Sequence, residues 1–506
     1  MKSIPRRCSK CLLAAAGLLA LAGWCGVGGS EKGSGKAIAQ GAPVPNDGTR
    51  TPPTSGFRPA AARIRVHGKP KPLSTGAVTS NWASFLGPNH NLTTPETKLL
   101  KKFPADGLKL VWEIETGSGF SAPAVSGDRV VFFHRLGDEE IVECLHRETA
   151  EHYWSFRYPS AYSDRYEFNN GPRSSPVIEG DLVFTHGVEG KLHCLDLTTG
   201  RVVWQRDTSK EHKITATYFG VGSTPLVDGD LLIVQVGAPP GGPCVVAYNK
   251  KTGDVVWQAG DQWQASYASP IPAVIHGTRR ILVFAGGDID PPTGGLLVID
   301  PANGAIETRF PFRSRNYISV NAANPTVVGN SIFLSTSYKT GCVLLDLKEG
   351  GGHELAWKSK ALEAHFATSI HVGGYLYGFD GGNKYRTGPT CVDVTTGKRV
   401  WQVFPDWSDP RDADKAGNKI PAGPYRGSML YADGDFLILG EDGHLAWAEL
   451  SPKGYKDITR TRLFNAAETW TPPVVSHGLL YVCQNSRDKK TGTPMRLLCY
   501  DLRDDR

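Results

Sequence analysis

The sequence of 506 residues lacks the short motifs that mark the commonest catalytic and metal-binding sites. It contains no HExxH, no GxSxG and no Walker loop, which excludes the usual metalloprotease, hydrolase and NTPase sites. The seven cysteines beyond residue 39 form no CxxC pair, so we expect no structural zinc site. Short motifs therefore identify no catalytic residue and no metal ligand in this sequence.

The sequence also has little net charge beyond its N-terminus. The formal net charge is +6, and residues 1–39, with six basic residues and one acidic residue, account for +5 of it. The remaining chain is close to neutral and lacks the excess of Lys and Arg that neutralises nucleic-acid phosphates. We therefore expect no nucleic-acid partner.

The N-terminal apolar run is too short to span a bilayer comfortably. Basic residues precede fourteen apolar or small residues, Cys11 to Trp24, which is the order of an export signal. Two processing routes stay open: a lipid anchor at Cys25, within LAGWC, or cleavage at AIA, residues 37–39. We expect an exported protein of the periplasm or cell envelope, with residues 1–39 as its leader and no transmembrane span in the mature chain.

Two short phrases recur along the chain and define a repeat. The first occurs in eight copies, among them SAPAVSGDRVVFF from Ser121, SSPVIEGDLVF from Ser174 and STPLVDGDLLIV from Ser223. Each copy has an alternating run, a tight turn and a second apolar run, which is typical of a β-hairpin. The second phrase, such as CLDLTTGRVVW from Cys194, predicts a third and a fourth strand around a turn. The predicted unit is therefore four antiparallel strands.

Tryptophan spacing gives the length of this unit. One tryptophan recurs near the end of most units: Trp112, Trp154, Trp204, Trp257, Trp357 and Trp401. Between Trp257 and Trp357, which are two units apart, Thr308 takes the equivalent position. Periods of about 40 to 50 residues with four strands each are typical of a β-propeller. The last copy lacks a fourth strand, whereas KLVWEIE, around Trp112, precedes the first copy. We expect an all-β, eight-bladed propeller over residues 81–506, closed by this N-terminal strand, after a flexible Gly/Ser/Pro-rich tether over residues 40–80.

Most of the repeated residues have a structural explanation. An indole buried between blades removes about 200 Å² from water, which stabilises the fold by up to about 5 kcal/mol. Proline opens most copies of the innermost strand, a sheet edge where no ladder hydrogen bond is lost. One repeat position holds cysteine in four different copies, too far apart for disulfides: Cys144, Cys194, Cys391 and Cys499. The two phrases therefore describe shape rather than chemistry.

The combined pattern, C/A-x-D-x-x-T-G-x-x-x-W with Ser-x-Pro-x-V-x-G-D, closely resembles the quinoprotein-type, or PQQ-like, propeller repeat. WD40 and kelch signatures are absent. The resemblance covers most of the chain. It implies a fold that is shared by PQQ-dependent alcohol dehydrogenases and by the envelope assembly lipoprotein BamB, which has no cofactor. The resemblance therefore leaves function to be argued from the site.

For the dehydrogenases, the resemblance implies PQQ and a calcium ion held by carboxylate and amide oxygens, with an Asp base, a Trp floor and often an adjacent Cys pair. This sequence has no adjacent Cys pair. Trp470 is a candidate floor, and Asp164, Glu167, Asn321 and Glu468 are candidate oxygen ligands. No residue matches the catalytic motif closely enough for a role to be transferred.

The links that enter the innermost strands gather at one mouth of a propeller channel. The position three residues before each proline, with its near neighbours, gives a candidate ligand-binding set: Phe120, Arg173, Tyr218, Phe219, Tyr267, Asn321, His365, Phe366, Arg426 and Trp470. Aromatic surfaces and two arginines at one mouth suit a flat or anionic ligand. The alternative is that the aromatic residues plug the funnel and the arginines pair with Asp164, Glu167 or Glu468.

These patterns favour a non-catalytic binding or assembly module in the bacterial cell envelope, with a protein or other envelope partner and no cofactor. The alternative is a PQQ- and calcium-dependent alcohol dehydrogenase with its site at the channel mouth. The two hypotheses place different demands on the mouth, because a cofactor needs an open aromatic face and converging oxygens there.

Overall fold

The computed structural model describes residues 59–214, 219–287, 291–382, 386–408 and 419–504. Within these ranges the strands form eight sheets, which are the blades of a propeller. In each blade the strands follow one another from the central channel to the periphery. The predicted all-β, eight-bladed propeller is confirmed.

From residue 59 onwards, one short helix and three strands precede the first blade. They are α1 (Ala60–Arg63), β1 (Ile64–Val66), β2 (Thr93–Thr94) and β3 (Leu110–Glu115).

Blades 1 to 4 each consist of four successive strands. Blade 1 contains β4 (Ala124–Ser126), β5 (Arg129–Leu136), β6 (Glu139–His146) and β7 (His152–Pro159). Blade 2 contains β8 (Val177–Glu179), β9 (Leu182–His186), β10 (Lys191–Asp196) and β11 (Val202–Asp207), followed by α2 (Thr208–His212). Blade 3 contains β12 (Leu226–Asp228), β13 (Leu231–Gln235), β14 (Val245–Asn249) and β15 (Val255–Ala259). Blade 4 contains β16 (Ile271–Ile275), β17 (Thr278–Ala285), β18 (Gly295–Ile299) and β19 (Ile306–Pro311).

Blades 5 to 7 repeat this arrangement. Blade 5 contains β20 (Thr326–Val328), β21 (Ser331–Thr336), β22 (Gly341–Leu347) and β23 (His353–Ser359). Blade 6 contains β24 (Ile370–Val372), β25 (Tyr375–Asp380), β26 (Gly388–Asp393) and β27 (Arg399–Gln402). Blade 7 contains β28 (Ser428–Ala432), β29 (Asp435–Leu439), β30 (His444–Ser451) and β31 (Gly454–Arg462).

Blade 8 joins the two ends of the chain. Its first three strands are β32 (Val474–Ser476), β33 (Leu479–Gln484) and β34 (Arg496–Asp501). The fourth is β3, which pairs with β34 and places Trp112 opposite Cys499. The predicted closure by an N-terminal strand around Trp112 is therefore confirmed.

Residues 59–80 do not form the free tether that the composition predicts. Strand β1 pairs with β3 and adds a fifth strand to blade 8. Arg63 of α1 then reaches blade 1, where its guanidinium pairs with the buried carboxylate of Glu143. The unpaired outer edge of β3 is the physical reason, because it offers backbone partners to a segment of any composition. The packed part of the chain therefore begins at least twenty residues before the predicted boundary at residue 81.

The repeated tryptophans connect most of the blades to the next one along the chain. In each case the indole Nε1–H donates to a backbone carbonyl in the 3–4 turn of the following blade. The Nε1 to oxygen distances are 2.8 Å for Trp154 to Leu197, 3.0 Å for Trp204 to Lys250, 2.9 Å for Trp257 to Pro301, 2.7 Å for Trp357 to Val394 and 2.7 Å for Trp401 to Ser451. Thr308 replaces the indole in blade 4, and its hydroxyl accepts from the Gly352 amide of blade 5 at 3.0 Å.

The residue before the repeated proline forms a second belt around the channel. The Ser175 hydroxyl accepts from the Ala122 amide at 2.9 Å, and Thr224 accepts from the Ser175 amide at 3.0 Å. Ser269 accepts in turn from the Thr224 amide at 2.9 Å. This belt gives the Ser/Thr-Pro dipeptide of the repeat a direct structural reason.

Residues 81–94 cross the end of the channel that lies opposite the mouth. Trp82, which is fully buried, exchanges two backbone hydrogen bonds with Val125 of blade 1. Strand β2 pairs in parallel with β28, the innermost strand of blade 7. The segment therefore closes this end of the channel across the ring.

The described residues contain neither a disulfide nor a membrane-spanning helix. Every cysteine in the described ranges is free, as expected for the four at equivalent repeat positions. In the part of the chain that the structure describes, no helix has the length and apolar character needed to cross a membrane.

Candidate functional site

The mouth of the channel is bordered by the links between blades, and the link from blade 1 to blade 2 is held by a buried arginine. Arg135 lies on β5, and its guanidinium donates to the carbonyl oxygens of Ser160, Tyr162 and Asn170 at 2.5 to 3.0 Å. Because Arg remains charged in proteins, three carbonyl acceptors suit a buried guanidinium well. This residue fixes the path of residues 160–173 over the channel.

Asp164 organises the same link from within. Its buried carboxylate accepts hydrogen bonds from the amides of Tyr166 and Asn169, at 2.9 and 3.1 Å. It also accepts from the guanidinium of Arg173 at 2.8 Å. An Asp that accepts from backbone amides two and five residues later stabilises a compact loop. The loop therefore presents the side chains between these residues in defined positions.

Aromatic rings fill the centre of the mouth around Trp470. The ring centroid of Trp470 lies 5.2 Å from that of Phe120, 5.8 Å from that of Phe168 and 5.3 Å from that of Phe366. The cluster continues through Phe219, whose ring centroid lies 6.2 Å from that of Phe168. These separations are within the range of favourable aromatic pairs. One connected aromatic cluster therefore spans the mouth from side to side.

The two arginines of the mouth are both paired with buried carboxylates. Arg173 pairs with Asp164 and lies over the ring of Phe219, with 5.6 Å from Cζ to the ring centroid. Arg426 pairs with Glu441, which has no exposed surface, and lies 5.0 Å from the ring centroid of Trp470. The Trp470 indole donates to the same Glu441 carboxylate at 3.1 Å. Both guanidinium groups are therefore built into the wall of the mouth.

The remaining polar candidates also have internal partners. His365 lies beside Arg426 and shares a 3.2 Å hydrogen bond with the Tyr338 hydroxyl. Burial and the nearby Arg426 charge lower the pKa of His365 to about 4, so this imidazole is neutral at pH 7. The Asn321 amide donates to the carbonyls of Ala285 and Phe312, at 2.8 and 3.1 Å. Asn321 therefore braces the backbone between blades 4 and 5.

The structure brings most of the sequence-predicted residues into this one cluster. In contact there are Phe120, Arg173, Phe219, Tyr267, His365, Phe366, Arg426 and Trp470. Asn321 lies behind them, where its carbonyl accepts from the Tyr267 amide, and Tyr218 lies outside the described residues. Of the carboxylates proposed as arginine partners, Asp164 pairs as suggested, whereas Arg426 pairs with Glu441. Sequence reasoning missed Glu441, Phe168 and Tyr338.

Exposed aromatic side chains lie on the links that border this filled centre, and Phe168 belongs to both groups. In the described ranges, all the large aromatic side chains that are strongly exposed lie on links between blades: Tyr166, Phe168, Tyr317 and Phe404. Two exposed isoleucines, Ile318 and Ile420, lie on the same links. Exposed apolar residues that gather on one face mark interaction sites more often than scattered ones do. The mouth face therefore has a centre filled by aromatic rings and paired arginines, and a rim with exposed apolar side chains.

Known proteins resemble this chain in sequence over parts of its length. The family model described as "Outer membrane protein assembly factor BamB" matches residues 138–403, more than half of the chain. The quinoprotein ethanol dehydrogenase of Pseudomonas putida is 26% identical over 267 residues, which are 48% of this chain and 41% of that protein. The chain spans less than half the length of the curated relatives that it matches.

Solved structures share the fold at lower identity. A europium-containing methanol dehydrogenase matches with a TM-score of 0.58 and 14% identity, covering 83% of this chain and 98% of that one. BamB from Moraxella catarrhalis matches with a TM-score of 0.51 and 17% identity, covering 79% and 99%. With the family match over more than half of the sequence, these findings show that this chain belongs to the PQQ-like β-propeller family, which has BamB-like and quinoprotein dehydrogenase relatives.

Proposed function

We propose that this chain is a non-catalytic binding module of the cell envelope, and that its mouth face holds an apolar and aromatic surface of a partner protein. The observation that carries the proposal is the division of the mouth into a filled centre and an exposed aromatic rim. A surface of this kind offers contact area to another protein, because large rigid aromatic side chains dominate binding energies at interfaces.

The rim is held in place, which favours binding. Tyr166 and Phe168 are 40% and 45% exposed, and they lie on the link that Asp164 and Arg135 fix. A side chain on a pre-ordered loop loses less conformational entropy on association than one on a mobile loop. The link between blades 1 and 2 therefore supplies the best-defined part of the proposed surface.

The residues of the mouth do not fit the alternative, a PQQ- and calcium-dependent alcohol dehydrogenase. A quinone needs an open aromatic face, whereas Trp470 is contacted by three aromatic rings of its own chain and by Arg426. A calcium ion needs several converging oxygens, and the described ranges contain no group of three or more His, Cys, Asp and Glu side chains that could hold a metal ion. Asp164 already serves Arg173 and two backbone amides. We derive no redox step at this mouth.

Location in the periplasm or cell envelope belongs to the same proposal. It rests on the basic and apolar N-terminal residues, which have the order of an export signal. Residues 1–39 lie outside the described ranges. Cell fractionation, with a tag at the C-terminus, tests this part on its own.

The experiment compares capture of envelope proteins by two double variants. Tyr166→Ser with Phe168→Ser removes the exposed aromatic pair from the mouth rim. Val255→Ser with Val256→Ser is the matched control, because these side chains are 41% and 51% exposed on the outermost strand of blade 3. We expect the wild type to bind a partner protein saturably and the control variant to bind it with the same affinity. We expect the rim variant to bind that partner at least tenfold more weakly. Equal affinity of both variants for that partner contradicts the proposed surface.

A further inference from the structure

A cavity lies on the face opposite the mouth. It has a volume of about 300 Å³ and lies between residues 81–90 and the innermost strands of blades 2, 3 and 4. Its lining is mixed: the apolar side chains of Phe85, Leu226 and Ile271 lie beside polar ones such as Thr224 and Ser269. A volume of this size is at the lower end of the range for ligand sites in proteins.

The chain itself shows how this end of the channel binds a polypeptide. In blades 1, 2 and 7, the innermost strand directs one backbone N–H towards the channel at the same repeat position. The Val125 amide donates to the Trp82 carbonyl at 2.8 Å, and the Ile178 amide donates to the Ala83 carbonyl at 2.9 Å. The Tyr431 amide of blade 7 donates to the Leu92 carbonyl at 2.9 Å. The segment is therefore held near its two ends, at residues 82–83 and 92–94, against the inner edges of three blades, and turns connect these two contacts.

Val227 is the equivalent position in blade 3, and it borders the cavity. Its strand pairs Asp228 with Leu231 across a two-residue turn and Val227 with Leu232 next to it. In an antiparallel hairpin of this kind, the pair that flanks the turn exchanges hydrogen bonds and the next pair does not. The Val227 N–H and C=O therefore point away from the sheet towards the channel. Within the described residues, neither group has a hydrogen-bond partner there.

Blade 4 also borders the cavity, but its innermost strand has no backbone N–H to donate at this position. Pro272 lies two residues after the repeated Pro270, as Val227 lies two residues after Pro225, although the blade 4 hairpin is two residues longer; Pro272 has no N–H to offer. Thr224 and Ser269, also in the cavity wall, accept hydrogen bonds from backbone amides, and their own O–H groups remain donors. The cavity thus combines apolar side chains with donors for a peptide carbonyl.

We propose that this cavity binds a short, extended, apolar peptide segment, whose backbone pairs with Val227 as Trp82 pairs with Val125. The bound segment continues the row of strand-edge contacts that residues 81–94 already make, and its side chains pack on Phe85, Leu226 and Ile271. This site is distinct from the mouth face and does not depend on the function proposed for that face.

The test uses a proline substitution that the fold already tolerates in a sister blade. Val227→Pro copies Pro272 and removes the N–H that faces the cavity. Val327→Pro is the matched control, because Val327 has the same repeat position in blade 5 and does not line the cavity. The probe is the capped tripeptide acetyl-Val-Phe-Val-amide, titrated by calorimetry, with acetyl-Asp-Asp-Asp-amide as the polar comparison.

We expect the wild type and Val327→Pro to bind the apolar tripeptide with equal affinity. We expect Val227→Pro to bind about threefold to tenfold more weakly, as the loss of one backbone hydrogen bond requires. The proposal is overturned if the wild type does not bind the apolar tripeptide, if the acidic tripeptide binds equally well, or if the two proline variants bind alike.

A second measurement keeps the test decisive if Val227→Pro folds poorly. Hydrogen exchange of residues 223–230 in the wild type is followed with and without the apolar tripeptide. Slower exchange there on binding supports the site, and unchanged exchange rejects it. Tyr166→Ser with Phe168→Ser is included because it alters only the mouth face, so its tripeptide affinity should equal that of the wild type.

Discussion

The indole of Trp154 lies against the backbone of Gly200 in the next blade. Gly200 has a φ of +69°, and a β-carbon at this position would lie 2.5 Å from Cδ2 of the indole. The glycine of the repeated T-T-G turn therefore serves two purposes, since it takes the left-handed conformation and leaves room for the ring. The same relationship recurs for Gly253 with Trp204, Gly304 with Trp257 and Gly397 with Trp357.

Gly200→Ala should destabilise the propeller by about 2 to 4 kcal/mol, because it adds overpacking against Trp154 to the strain of a positive φ. Gly229→Ala is the matched control, because Gly229 has a φ of +60° and open space around its α-carbon. The control should cost only about 1 kcal/mol. Urea unfolding midpoints compare the stability of the two variants. Equal midpoints would show that the contact between Gly200 and the indole does not contribute to stability.

Arg63→Ala should destabilise the closed ring by about 3 to 5 kcal/mol, because it leaves the fully buried Glu143 without its guanidinium partner. Burial alone would raise the pKa of Glu143, but His134 and Arg63 hold it at about 2. Arg65→Ala removes a neighbouring arginine that is 68% exposed, and it should cost less than about 1 kcal/mol. A thermal melt of each variant checks the difference, and a small shift for Arg63→Ala would show that α1 does not secure the closure.

Glu140 should make the fold less stable as the pH rises from 5 to 8. Burial raises the pKa of this carboxyl from 4.5 to about 7, while Tyr158 and the Val188 amide donate to it. Because the folded state keeps the proton that the unfolded state has lost, stability falls between these two pKa values and levels off above 7. The full effect is about 3 kcal/mol.

Glu140→Gln isolates this contribution. The amide has no titration, so the wild type should lose stability relative to the variant between pH 5 and pH 8. Denaturant midpoints at the two pH values give the comparison. A constant difference between the two proteins would mean that Glu140 does not hold a proton in the folded state at pH 5.

Asp164→Ala should loosen the mouth link without unfolding the propeller. The substitution removes the acceptor of Arg173 and of two backbone amides in residues 160–173. We expect amide hydrogen exchange in this link to rise by at least about tenfold, because loops with few backbone partners open at low free energy. Asp138→Ala, at a carboxylate that is 92% exposed, serves as the control. Unchanged exchange in Asp164→Ala would remove the argument for a pre-ordered rim.

The ring could be predicted from sequence because its main contacts lie within the repeat. The strand around Trp112 precedes the first repeat, and the last repeat lacks a fourth strand. This mismatch predicts the pairing of β3 with β34 that the structure contains. The segment before it could not be placed. Residues 59–80 read as a tether by composition, and the free edge of β3 that orders them becomes visible only in the folded ring.

The mouth could be predicted only in part. Counting back from the proline finds Trp470, Phe120 and Arg426, because each of these lies on a link with a fixed repeat offset. Phe168 lies on an irregular link with no equivalent in other copies, and Glu441 lies on the turn between the second and third strands of blade 7. Those turns reach the same mouth as the links, which an offset from the proline does not reveal.

The mouth is filled by the chain's own side chains, and we propose that it binds a partner protein rather than a quinone. The most direct measurement is equilibrium dialysis of the purified protein against PQQ with calcium, followed by an assay of alcohol-dependent dye reduction. Our account predicts no stoichiometric PQQ in the protein and no dye reduction. One bound PQQ per chain, with dye reduction that depends on an added alcohol, would contradict it.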